Sequence, residues 1–229
     1  MSTIHVSASL LAANYARMGQ EVQRAERAGA DSFHFDLMDG HYVPNLALSP
    51  DHLIALRAHT RLPFHVHLEL ENPDEVLDKF QPLQADLIIV CRDTLAAPSR
   101  TLARIHALGM RAGLSVNPDE PLSAALDYLS EIDLLLILGV FPGFGGQVMQ
   151  PGVKRKITQA HQEIRSLGLD LPIGVDGGVN NQTAAELVAA GADFLIAGTA
   201  LFQANNMRRI ITEFKELARL SRSQHQAET

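Results

Sequence analysis

The stretch Ala28-Gly29-Ala30-Asp31-Ser32-Phe33-His34-Phe35-Asp36-Leu37-Met38-Asp39-Gly40 decides the fold. An amphipathic segment stops at Gly29, as a left-handed glycine stops a helix, and a strand follows at once. The same punctuation returns as Ala190-Gly191-Ala192-Asp193 ahead of Phe194–Ala197. Working outward, strand-like runs occupy Ile4–Leu10, Ser32–Leu37, Phe64–Leu70, Asp86–Val90, Arg111–Val116, Asp133–Leu138, Ile173–Asp176 and Phe194–Ala197. Between them the apolar spacing of three and four residues predicts helices at Tyr15–Ala28, Pro50–Ala58, Pro73–Phe80, Ser99–Leu108, Pro121–Tyr128, Val153–Leu167, Thr183–Ala190 and Met207–Leu220. Asn72 and Asn181 are placed as N-caps, and Pro73, Pro98 and Pro121 fall near helix starts.

Eight short, apolar strands alternating with helices imply a parallel sheet covered on its outer face. The count of eight, with no glycine-rich turn after the first strand, favours a (β/α)8 TIM barrel over an open doubly wound sheet. One domain, 1–220, followed by a polar tail, 221–229, accounts for the chain.

The chain has 229 residues, with 19 Lys and Arg against 26 Asp and Glu, a formal charge of −7. That balance argues against a general nucleic-acid binder, which carries a basic field. The N-terminus lacks the basic start and apolar core of a signal peptide. The longest apolar stretch, Leu134–Phe144, is interrupted by Gly139, Pro142 and Gly143 and falls short of the roughly 18 residues of a membrane helix. A single cysteine, Cys91, cannot form an internal disulfide. The expectation is a cytoplasmic enzyme with no membrane or nucleic-acid partner.

In a barrel the chemistry sits where strands end. Period-two alternation turns His34, Asp36 and Met38 inward, and Phe33, Phe35 and Leu37 toward the helices. It places His65, His67 and Glu69 on the inner face of the next strand, and Asp176 ends the seventh before Gly177-Gly178. One inward histidine is more often a hydrogen-bonded core residue than a ligand, and one Asp before Gly-Gly is more often a turn former. Several inward polar groups at three strand ends are different, because unpaired they cost several kcal/mol each in a dry core. Two imidazoles with two or three carboxylates suit Zn²⁺, Mn²⁺ or Fe²⁺. Three glycine-rich turns follow the last strands: Pro142-Gly143-Phe144-Gly145-Gly146-Gln147, Gly177-Gly178 and Gly198-Thr199. Backbone N–H groups there would hold a phosphorylated small molecule without a basic patch.

The stretches His34-Phe35-Asp36-Leu37-Met38-Asp39-Gly40-His41-Tyr42-Val43-Pro44-Asn45, His65-Val66-His67-Leu68, Pro142 to Gln147 and Val175-Asp176-Gly177-Gly178 resemble those of ribulose-phosphate 3-epimerases. The resemblance runs from Ser7-Ala8-Ser9-Leu10-Leu11-Ala12 to Gly198-Thr199-Ala200-Leu201-Phe202. It implies one divalent metal ion (Zn, Mn or Fe) on His34, Asp36, His67 and Asp176, with Asp36 and Asp176 as the two acid–base residues. It implies substrate contacts from Ser9, His67, Met38, Gly143, Phe144, Gly145, Gly146, Gly177, Gly178, Gly198 and Thr199. It also suggests an even-numbered homo-oligomer. The implied substrate is D-ribulose 5-phosphate, with D-allulose 6-phosphate as the alternative.

The chain departs from the family pattern near the reacting centre. Glu69 and Leu138 stand where the family usually has Met, and Phe141 and Gly139 where Asn and Thr are usual. Cys91-Arg92-Asp93 replaces a His-x-Glu pair, and Ala8 a common Pro. Glu69, Leu138 and Phe141 are therefore the expected specificity positions. Two other readings compete with an epimerase. A barrel aldolase or isomerase using the same phosphate site is opposed, for Schiff-base chemistry, by the absence of a lysine at any proposed strand end; metal-dependent cleavage stays open and would show as smaller products. A non-catalytic sugar-phosphate sensor is motivated by the altered cap and opposed by the intact Asp36/Asp176 pair.

Overall fold

A computed structural model describes residues 4–83 and 85–227, with side chains described through residue 217. The strands are β1 His5–Ser9, β2 Ser32–Asp39, β3 Leu46–Ala47, β4 Phe64–Glu69, β5 Leu87–Cys91, β6 Arg111–Val116, β7 Leu134–Leu138, β8 Ile173–Asp176 and β9 Phe194–Ala197. All but β3 run parallel, and the pairing of β1 with both β2 and β9 closes them into an eight-stranded barrel. The short β3 lies antiparallel on β2 at the mouth, pairing Met38 with Ala47. The helices are α1 Met18–Ala28, α2 Pro50–Arg57, α3 Pro98–Ala107, α4 Ser123–Leu126, α5 Val153–Ser166, α6 Ala184–Ala190, α7 Thr199–Phe202 and α8 Met207–Ala227. This is the expected (β/α)8 TIM barrel. No described helix is long and apolar enough to cross a membrane.

Two apolar layers follow from the period-two pattern. The outward side chains Phe33, Phe35, Phe64, Val66 and Leu68 are fully buried against the helices. Each such side chain stabilises the fold by roughly 1.5–3 kcal/mol. Inside the barrel, Leu87, Ile89, Leu134, Leu136, Leu138 and Ile196 form a separate apolar wedge. Small residues make room for it: a Cβ on Gly113 would lie 2.9 Å from Ile89 Cγ1, and one on Gly174 3.1 Å from Leu136 Cδ1. The inward positions of β1, β2 and β4 are polar apart from Met38 at the mouth, so the interior is apolar on one side and largely polar on the other.

Helix ends at Gly29 (φ +102°) and Gly191 (φ +116°) are left-handed caps, as the sequence predicts. Three expectations need correction. Pro73–Phe80 forms two successive 3-10 turns, Pro73–Glu75 and Leu77–Lys79, rather than a helix. The Asp74 carbonyl, which a helical ladder would use, accepts instead from Arg104 at 2.7 Å. Pro121–Tyr128 shortens to α4, followed by a 3-10 turn at Leu129–Glu131. Neither Asn72 nor Asn181 caps a helix: Asn72 makes no capping bond, and Asn181 donates to Glu213. Ahead of α6, whose N-cap Thr183 makes no side-chain capping bond, Asn180 Oδ1 accepts from the Gln182 and Thr183 N–H groups of the preceding turn. The final helix α8 runs past the expected Leu220; the side chains of the expected polar tail, 221–229, lie outside the described residues.

Candidate active site

Register builds the site in layers. Parallel pairing of β2 with β4 sets His34 beside His65, Asp36 beside His67, and Met38 beside Glu69. Ser9 of β1 pairs with His34, while on the far side Asp176 of β8 pairs with Leu138 and Ile196. The lower layer is structural. His65 Nδ1 lies 3.4 Å from Ser32 Oγ, which donates to Ser7 Oγ at 2.8 Å, and His5 stacks on Phe194 at 4.1 Å. Of the inward histidines, His65 is thus a core residue.

The layer above is the chemical one. Asp36 Oδ1 lies 3.1 Å from His34 Nε2 and 3.4 Å from His67 Nδ1, and Asp176 Oδ2 lies 3.5 Å from His34 Nε2. Ser9 Oγ donates to Asp36 Oδ2 at 3.1 Å. Ligand atoms of His34, Asp36, His67 and Asp176 all fall within 4.8 Å of one another. Yet both ring nitrogens of His34 and Nδ1 of His67 are buried without a hydrogen bond. Of these, His34 Nε2 and His67 Nδ1 each face two carboxylates, and left unbonded they are costly in a protein interior. They fit the donor set of a divalent cation.

The electrostatics separate the two carboxyls. Burial favours a neutral Asp36, but His34 and His67 outweigh it and hold the carboxyl far below its usual range. Asp176 is pushed up to about 7 by burial, opposed by His34 and reinforced by the charge of Asp36. Burial pulls His34 down, but Asp36 and Asp176 overcome this and raise it. Burial dominates at His67 and lowers it. Glu69 is raised well above the ordinary carboxylate range by burial and then by the fields of Asp36 and Asp176.

Above these groups opens a pocket of about 260 Å³. Ser9, Asp36, Met38, Glu69, Leu138 and Asp176 form its floor and walls. Phe141, Gly143, Phe144, Gly145, Gly146, Gly177, Gly178, Gly198 and Thr199 also line it. No lysine or arginine is among the described lining residues. His34 and His67, the latter an expected substrate contact, are fully buried and are not among the residues that line the pocket.

The glycines have specific reasons. Gly177 (φ +90°) and Gly178 (φ +71°) are successive left-handed residues, and a Cβ on Gly177 would meet Val140 Cγ2 at 2.5 Å. Gly139, a departure from the family pattern, is required by packing: its Cβ would lie 2.1 Å from the Gly177 carbonyl. The loop after β7 is pinned by Asn45, whose Nδ2 donates to the Gly143 carbonyl, and by Gln147, which donates to Phe141 and Phe144 carbonyls. The sequence reading missed Ser115 and the placement of Cys91, which meet the far side of His67 at 3.0 and 3.5 Å. Alternation along Arg111–Val116, with Gly113 inward, already turns Ser115 inward too.

A family model described as the ribulose-phosphate 3 epimerase family matches residues 5–202. The chain is 38% identical over 213 residues to the ribulose-phosphate 3-epimerase of Bacillus subtilis, covering 93% of this chain and 98% of that one. It is 39% identical over 219 residues to that of Escherichia coli K12, covering 94% and 97%. Solved structures share the fold at lower identity. The structure of KGPDC from Streptococcus mutans superposes with a TM-score of 0.70 at 12% identity, covering 95% of this chain and 98% of that one. Orotidine 5'-phosphate decarboxylase from Pyrococcus horikoshii gives 0.67 at 15%, covering 93% and 99%. With the motifs spread over the same strand ends and the family match spanning nearly all of the barrel, the chain belongs to the ribulose-phosphate 3-epimerase family.

Proposed function

We propose that the protein is a divalent-metal-dependent 3-epimerase that interconverts D-ribulose 5-phosphate and D-xylulose 5-phosphate by two-base proton transfer. The observation that carries this reading is the Asp36/Asp176 pair, set on separate strands at one pocket floor and joined through His34. Inversion needs one group to take the C3 proton and another to return a proton from the opposite face. Before any cation adds its charge, Asp36 is ionised while Asp176, near 7, holds or releases a proton at neutral pH. Ser9, bonded to Asp36, keeps that carboxylate oriented.

His34, Asp36, His67 and Asp176 would hold one Zn²⁺, Mn²⁺ or Fe²⁺; such an ion supplies Lewis-acid stabilisation of the oxyanion that forms when the proton leaves. The residues fit it on the ground of their orphaned ring nitrogens. Amides around Gly145, Gly146, Gly177, Gly178, Gly198 and Thr199 receive the phosphate, in keeping with a lining that has no cationic side chain among the described residues.

Glu69 and Phe141 motivate a second substrate, D-allulose 6-phosphate. Glu69 Oε2 is buried without a partner on the pocket wall, so a substrate hydroxyl there gains a bond that the family's usual Met does not offer. Phe141 is 44% exposed and reshapes the sugar end. An even-numbered homo-oligomer in the cytoplasm belongs to the same reading. Asp36→Asn and Asp176→Asn, each assayed at confirmed metal content, should abolish turnover. Sugar-phosphate binding by the wild type, seen as a thermal shift without any turnover, identifies a sensor instead.

A further inference from the structure

The two ring nitrogens of His67 have different surroundings. Nδ1 faces Asp36 at 3.4 Å and Glu69 at 3.5 Å and makes no hydrogen bond. Nε2 points into the barrel wall, where Ser115 Oγ lies 3.0 Å away and Cys91 Sγ 3.5 Å. Ser115 and Cys91 are register partners on β6 and β5, and both are buried. Neither lines the pocket.

Each group has a second partner that fixes its direction. Ser115 Oγ reaches the Val90 carbonyl at 3.3 Å, and Cys91 Sγ reaches the Leu68 carbonyl at 3.5 Å. A hydroxyl carries one proton and two lone pairs. When Ser115 gives that proton to Val90, its oxygen accepts from Nε2–H of His67. Nδ1 is then left as a bare lone pair turned toward Asp36. A histidine that ligates through one nitrogen must carry its proton on the other, so the partner of that other nitrogen decides which face binds.

We propose that Ser115 is a positioning residue for the metal site, holding His67 in the Nε2–H form so that Nδ1 joins His34, Asp36 and Asp176 as a ligand. The inference rests on the metal reading above and adds a residue that touches neither substrate nor ion. A hydroxyl suits the place because, with its one proton committed to the Val90 carbonyl, its oxygen is left as an acceptor for Nε2–H, so that buried ring nitrogen is satisfied in the tautomer that frees Nδ1. Cys91, a weak donor and acceptor already committed to Leu68, cannot substitute for it.

Two measurements on the full chain test this. In zinc-loaded wild type, ¹⁵N–¹H correlation of the histidine rings should show His67 protonated at Nε2, with Nδ1 unprotonated. Chelator competition should show Ser115→Ala losing roughly 10–100-fold in zinc affinity. Ser115→Thr should recover part of it, and the isosteric Ser115→Val should not. A proton on Nδ1 of His67 in the zinc-loaded wild type overturns the proposal without any variant, so it stays testable should a substitution fail to fold. Unchanged zinc affinity in Ser115→Ala also overturns it and leaves the metal reading standing. Failure of the wild type to bind zinc, manganese or iron overturns the metal reading, and this inference with it.

Discussion

Asp176→Asn tests the electrostatics of the site before any substrate is added. In the metal-free protein the Asp176 carboxyl moves from its ordinary 3.8 to about 7 through burial and the charge of Asp36, against the pull of His34. At about 1.4 kcal/mol per decade, that displacement corresponds to roughly 4 kcal/mol of folding free energy. The sign follows from proton binding. The folded state keeps the Asp176 proton where the unfolded chain has lost it, so the contribution is full below pH 4 and is lost as pH rises through 7. Urea unfolding in chelator at pH 4, 5, 6, 7 and 8, followed by circular dichroism, measures it. Wild type should lose stability across that window, and Asp176→Asn should flatten the loss by up to about 4 kcal/mol. Zinc at a thousand times its dissociation constant should restore about 4 kcal/mol to wild type. Parallel pH profiles for wild type and variant would refute the assignment of Asp176 as a carboxyl whose proton burial and the charge of Asp36 retain in the folded state.

Other substitutions probe the pocket and its support. Glu69→Met should change the ratio of kcat/KM for ribulose 5-phosphate over allulose 6-phosphate by about tenfold, the worth of one buried hydrogen bond; an unchanged ratio makes Glu69 irrelevant to preference. Gly139→Ala places a Cβ 2.1 Å from the Gly177 carbonyl, so it should cost about 1–3 kcal/mol in urea unfolding. By moving Asp176 it should also slow turnover at least about tenfold, on the scale by which small misplacement weakens catalysis. Wild-type stability and rate in that variant would mean that the ends of β7 and β8 have room to spare.

Much of this arrangement was legible because a strand repeats every two residues. Alternation alone turned His34, Asp36, His67 and Glu69 inward, and the register of β2 on β4 then brought Asp36 against His67. Gly29 and Gly191 announced their helix ends because left-handed backbone favours glycine so strongly. What stayed hidden depended on distant partners. In the turns at Pro73–Lys79 the Asp74 carbonyl is taken by Arg104, 30 positions later in the chain, a partner that local spacing does not announce. Asn181 sends its side chain to Glu213, while its neighbour Asn180 accepts from Gln182 and Thr183 in the turn before α6, a difference between two identical side chains that only local geometry resolves. His67, expected to meet substrate, is fully buried and outside the residues that line the pocket, which alternation alone does not reveal. Ser115 shares its inner face with Gly113, yet nothing in a strand of sequence says that a histidine from two strands away will reach it.

The most direct test of the account is proton NMR in D₂O with D-ribulose 5-phosphate and the zinc-loaded protein. The C3–H signal should disappear by exchange with solvent as xylulose 5-phosphate signals grow, chelator should stop the exchange, and Asp36→Asn at full metal content should show none. Folded, metal-loaded wild type that exchanges no C3 proton of either ribulose 5-phosphate or allulose 6-phosphate would contradict it.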